Sequence, residues 1–159
     1  MTPELRLGTA GGRVTLWLPD QAELTPDPAE RDLLWWIAPG SEGGFSLAVS
    51  ARAATPPDAL LSMERQLADR VDVERDGIVD AGGRPARELL YTIERHLARS
   101  WTATPEGRRE MPGGIERRSV RRRFWPGAGV SAGYLVPCDE PEARTLYDRM
   151  LDSVRVTVD

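Results

Sequence analysis

The chain has 159 residues, a formal net charge of −4, and 40% apolar against 29% charged residues. That is the size and balance of one globular domain, able to bury a core without disulfides or a structural metal. Cys138 is the one cysteine, all 21 basic residues are arginine and asparagine is absent, which excludes an internal disulfide, a cysteine-built zinc centre, a lysine Schiff base, a P-loop and N-glycosylation.

Residues 4–7 and 13–18 read as a hairpin around Gly8, Gly11 and Gly12, with Val14, Leu16 and Leu18 on one face and Trp17 on the other. Residues 19–32 are acidic, carry three prolines and read as a loop. Residues 33–37 form a short strand that is apolar on both faces. Pro39, Gly40, Gly43 and Gly44 then turn the chain into a strand over 45–52. A first helix is expected from Thr55 as cap and Pro56 as first helical residue, with a stripe of Leu60, Met63 and Leu67. A short strand follows within 71–80, and Gly82-Gly83 leads into a long strand over 85–99. Leu89, Tyr91, Ile93 and Leu97 alternate there with Glu88, Thr92, Glu94 and His96. Residues 100–114 are polar and glycine-rich and read as a long loop between two strands. Strands over 115–125 and 130–136 flank a Pro-Gly-Ala-Gly turn. Asp139 and Glu142 suggest a capping box for a closing helix striped by Ala143, Leu146, Tyr147, Met150, Leu151 and Val154, and 155–158 can add a final strand. The expectation is a single α+β domain over 1–159: an antiparallel sheet of about six to eight strands with two main helices packed on it, and a polar loop at about 100–114.

No run of about 18 apolar residues offers a membrane-inserted helix. The opening Met1-Thr-Pro-Glu-Leu-Arg6 lacks the basic-then-apolar pattern of a secretory leader, so a cytoplasmic protein is expected.

Catalytic chemistry has little to stand on. His96 is the one histidine, and no G-x-S-x-G elbow presents a serine to it. An enzyme would have to pair His96 with Glu88 or Glu94. Metal ligands at helical spacing around His96 are missing, and no cofactor motif is present; the four Gly-Gly pairs lack G-x-G-x-x-G spacing. No catalytic residue, metal or cofactor is therefore assigned, and a binding role is expected.

Two features could carry binding. Residues 108–123 hold seven arginines against two glutamates, a net +5 beside −9 for the remainder. Arg117, Arg118, Arg121, Arg122 and Arg123 could meet an anion or nucleic acid, or could pair across strands with Glu88 and Glu94. A pI near 5.2 argues against a dedicated nucleic-acid binder. The second feature is five tryptophans beside two phenylalanines. Trp17, Trp35 and Trp36, next to small residues such as Ala48 and Gly133, could line a shallow apolar hollow on a wet sheet face, or could be core beneath the closing helix.

The order of elements resembles the PsbP-like α/β sandwich, with the DcrB-like proteins and the Eag-type chaperones of type VI secretion within it. The matching stretches are Gly12-Arg-Val-Thr-Leu-Trp-Leu-Pro-Asp20, the run from Phe45 through Arg65-Gln66-Leu67, Asp80-Ala-Gly-Gly-Arg-Pro-Ala86 before a long strand, and the closing helix with Leu151-Asp-Ser-Val154. The 100–114 loop and the arginine-rich strand depart from the pattern. The resemblance implies a non-enzymatic, cytoplasmic and often dimeric bacterial adaptor or chaperone. It would hold an apolar segment of another protein, such as a secreted effector's helix, on its sheet face. An anion-binding module using 117–123 is the alternative. A START-like ligand cavity is weaker, since the closing helix is short for that fold.

Overall fold

A computed structural model describes residues 4–9, 12–111 and 113–158. Among them the elements run β1 (Glu4–Thr9), β2 (Gly12–Trp17), β3 (Thr25–Pro26), β4 (Leu33–Trp36), β5 (Gly44–Ala48), α1 (Pro57–Leu67), β6 (Arg70–Asp80), β7 (Pro85–Leu97), β8 (Ser100–Thr104), β9 (Gly107–Met111), β10 (Gly114–Trp125), β11 (Val130–Pro137), α2 (Pro141–Ser153) and β12 (Arg155–Val158). The fold is α+β with every strand pair antiparallel. Where one sheet was expected there are three. A seven-stranded sheet has the order β3-β4-β5-β11-β10-β7-β6, a three-stranded sheet the order β1-β2-β12, and β8-β9 stand apart.

Strand alternation gives the large sheet two different faces. Along one cross-strand row lie Leu34, Leu47, Ala132, Arg123 and Glu88. One residue further along each strand, Trp35, Ser46, Gly133, Arg122 and Leu89 lie on the opposite face. The first face packs against α2 and the small sheet: Phe45, Leu47, Tyr134 and Val136 meet Tyr147, Met150 and Leu151 of α2 and Val14, Leu16 and Val156 of β2 and β12. The second packs against α1, where Leu61 and Leu60 sit on Leu89, Tyr91, Ile93, Val120 and Phe124. Each such fully buried aliphatic or aromatic side chain stabilises the fold by roughly 1.5–3 kcal/mol relative to exposure.

Several local expectations are corrected. Residues 100–111 of the expected 100–114 loop are strand and turn, Pro112 lies outside the described residues, and Gly114 already begins β10. Residues 100–111 form the β8-β9 hairpin, closed by Gly107 at φ 123°, a conformation open to glycine, and by the Thr104 hydroxyl donating to the Gly107 carbonyl at 2.9 Å. The strand in 71–80 is eleven residues long, because it pairs with β7 over nearly its whole length. Helix α1 begins at Pro57, with Pro56 at the cap and no capping side chain. Its buried residue is Leu61, while Met63 and Leu67 are exposed. The Asp139–Glu142 capping box does not form. Glu140 occupies the cap, and its carboxylate accepts the Glu42 N–H at 3.0 Å, tying the start of α2 to the β4-β5 turn.

Candidate functional site

Strand β10 divides its arginines between the two faces. Arg117, Arg121 and Arg123 lie on the α2 face, beside Glu94, Leu90 and Glu88 of β7. Arg117 donates to Glu94 at 2.8 Å. Arg121 donates to Glu88 at 2.8 Å, to Asp148 at 2.8 Å and to Asp152 at 2.9 Å. Arg123 donates to the same Glu88 oxygen at 3.0 Å and to Asp152 at 3.0 Å. Arg75 of β6 closes the cluster on the other Glu88 oxygen at 2.6 Å. Glu88 is wholly shielded from solvent. Burial alone would raise its pKa, but the Arg75 hydrogen bond and the charges of Arg121 and Arg123 prevail and hold it below the ordinary carboxylate value. Arg118 contacts its strand neighbour Glu116. Four of the five arginines thus meet acids of this chain. Glu88 and Glu94 were foreseeable partners; Asp148 and Asp152 of α2 were not.

The tryptophans do not share a face. Trp36 lies on the α2 face, edge-on to Tyr147 with ring centroids 6.0 Å apart. Trp17, half-buried in the small sheet, is capped by the Arg149 guanidinium 3.8 Å from its ring centroid, and its backbone N–H donates to Ser153 at 2.8 Å. Trp35 alone of the three lies on the α1 face, across from Ser46, and is 37% exposed. Ala48 and Gly133 share that face, but both are buried. A Cβ on Gly133 would fall 2.2 Å from the Arg121 carbonyl oxygen. Their contribution is close backbone packing within the sheet, and the expected surface of three indoles over small residues is reduced to Trp35.

Beside it the α1 face holds a pocket of about 270 Å³ between α1, the segment before it and the strands β4, β5, β11, β10 and β7. Leu33, Leu60, Val120 and Leu135 supply apolar wall, and Ser46, Glu64, Tyr91 and Arg122 supply polar groups. Burial pushes the Arg122 guanidinium down to about 10. Its Nε–H donates to Ser131 at 3.1 Å, and no carboxylate lies within ion-pair distance among the described residues. The Tyr91 hydroxyl is buried without a hydrogen-bond partner. Its pKa is raised by burial and then by the neighbouring Glu64 charge. Burial raises the Glu64 carboxyl as well, against the opposing charge of Arg95. Tyr91 and Glu64 were not singled out from the sequence. The available signal was parity: Arg122 interrupts the apolar row Val120 and Phe124, whereas Arg121 and Arg123 share the row facing Glu88.

His96 is exposed at the far end of β7, its Nε2 3.6 Å from Glu94, whose other oxygen already accepts from Arg117. Pairing with Glu88 is excluded: eight residues along one strand separate them by roughly 26 Å at 3.3 Å per residue. Cys138 is exposed. No helix among the described residues is long and apolar enough to cross a membrane.

No family model matches the chain, and no curated protein matches its sequence.

Proposed function

We propose that the protein is a non-catalytic binding module, an adaptor or chaperone of PsbP-like α/β sandwich type, that takes an apolar segment of another protein against the α1 face of its large sheet. The observation that carries this reading is the uncovered part of that face. Helix α1 packs over β7 and β10, and the pocket opens beside it, towards β4 and β5, with Trp35 exposed on the same face. An exposed indole beside an apolar recess is a common anchor for a partner's side chain. The resemblance of the order of elements in the sequence to Eag-type chaperones suggests the class of partner, a secreted protein's apolar helix. The anion-binding alternative draws no support from Arg117, Arg118, Arg121 and Arg123, whose charges are met within the chain.

Site-specific photo-crosslinking in the native host tests this. A benzophenone side chain placed at Trp35 should capture an apolar segment of one protein. The same probe at Ile78, exposed on the far edge strand β6, should not. Capture at both positions alike, or of polar segments only, would overturn the reading.

A further inference from the structure

We infer that the pocket beside α1 is a carboxylate-binding site, with Arg122 as the anion-binding residue, Tyr91 as a second donor, and room for a short apolar body attached to the carboxylate. This rests on the reading of the α1 face as the recognition surface, and names the chemistry recognised there.

Arg122 is set apart by comparison with its own strand. Arg117, Arg118, Arg121 and Arg123 each have a carboxylate at hand, and Arg122, two residues from Val120 and Phe124 on an apolar row, has only the Ser131 hydroxyl. Arg122 is half-buried, and a cation drawn partly out of water without a counter-ion carries a desolvation cost that a bound anion would offset. Guanidinium offers a planar fork of donors, and after Nε is used by Ser131 both terminal nitrogens are left to a ligand. Tyr91 is an independent indication. It is fully buried, it lines the same pocket, and its hydroxyl has nothing to donate to. One bound carboxylate would satisfy both groups.

The surroundings narrow the ligand. Glu64 lines the pocket and adds negative charge, so a monoanion is favoured over a phosphate dianion. Leu33, Leu60, Val120 and Leu135 suit an alkyl or aliphatic body, and about 270 Å³ limits it to a few carbons. A short free organic acid and the C-terminal carboxylate of an apolar chain both present this chemistry. The larger hollow of about 590 Å³ beside Cys138 offers no such site, because its Arg117 and Arg118 are engaged by Glu94 and Glu116.

The test is a titration of the full chain followed by amide NMR, using hexanoate, hexanamide and hexyl phosphate, together with a leucine-ending tetrapeptide carrying a free or an amidated C-terminus. Hexanoate should give saturable shifts at Ser46, Arg122 and Ser131. Hexanamide should bind at least about tenfold more weakly, the loss expected for a hydrogen bond to a charged group. Arg122→Met should lose at least tenfold in hexanoate affinity, Arg122→Lys should fall between, and Tyr91→Phe should lose severalfold. Tighter binding of the free-acid peptide than of hexanoate assigns the carboxylate to a chain end, and the reverse assigns it to a free acid; either supports the site. Equal binding of hexanoate and hexanamide, tighter binding of hexyl phosphate, absence of saturable shifts, or a folded Arg122→Lys protein with unchanged affinity would overturn it. Because no partner protein is present, failure here leaves the crosslinking test at Trp35 intact, and the two readings can fail separately.

Discussion

Arg123 and Glu88 face each other in the register of β10 and β7 and form a 3.0 Å ion pair in which the carboxylate is wholly shielded from solvent and the guanidinium nearly so. Glu88 also receives Arg121 and Arg75, so one buried carboxylate is shared by three arginines across β6, β7 and β10, with Asp148 and Asp152 supplying further negative charge. Replacing it by Ala leaves Arg121 and Arg123 without their central partner. The expected loss is about 3–5 kcal/mol, typical of breaking a buried pair from one side. Urea denaturation at pH 7 checks this, with Glu94→Ala, whose ion pair with Arg117 lies at the surface and is screened by solvent, as the milder control.

The same cluster sets an acid limit. The folded pKa of Glu88 lies below its ordinary value of 4.5, since arginine contacts outweigh burial. Its stabilising contribution is therefore complete above the unfolded value and is lost as pH falls through the folded value. Stability should be level from neutral pH down to about 4.5 as far as Glu88 is concerned, then fall steeply below it. Urea midpoints across pH 7 to 3 measure the limb, and Glu88→Gln should flatten it if the variant folds.

Gly133 is held by backbone, not by a ligand. A Cβ there would lie 2.2 Å from the Arg121 carbonyl oxygen and 2.7 Å from the Arg122 Cα, atoms that cannot swing aside. Gly133→Ala should destabilise by about 1–3 kcal/mol and shift the amides of residues 121 and 122. Thermal melting and NMR read the two effects together.

Tyr147 links α2 to the turn after β4. Its hydroxyl accepts the buried Ala38 N–H at 3.0 Å and donates to Ser41 at 3.0 Å. Tyr147→Phe keeps the ring against Trp36 and Tyr134 but orphans that N–H. A loss of about 1–3 kcal/mol follows, with faster hydrogen exchange at Ala38 as the specific signature.

Much of the framework was legible because it is local. Alternation in residues 13–18, 45–48 and 85–97 and the stripe of Tyr147, Met150 and Leu151 need only neighbours in sequence to be read. Pairing of the arginine strand with Glu88 and Glu94 was legible as one of two options, since both partners sit in the next long strand. What escaped is non-local. Nothing in residues 4–17 announces that they join 155–158 in a separate sheet. The β8-β9 hairpin was hidden because its residues, among them exposed Trp101, pack on no core and so show no buried face. Trp35 and Trp36 fall on opposite faces by plain alternation, which a run apolar on both sides conceals. The pocket around Arg122 draws on five strands and a helix, and no window of sequence contains it.

Strand β12 lies against β2, so that Val156 meets Val14 and Arg155 meets Thr15 across some 140 residues of chain. A ribosome delivers β2 early and β12 near the close of this stretch. Until then the apolar side of β2 has neither β12 nor α2 to cover it. A nascent chain stalled before residue 141 would display Val14, Leu16, Phe45 and Leu47 together, and these are the residues most apt to draw a holding chaperone or to seed aggregation during synthesis.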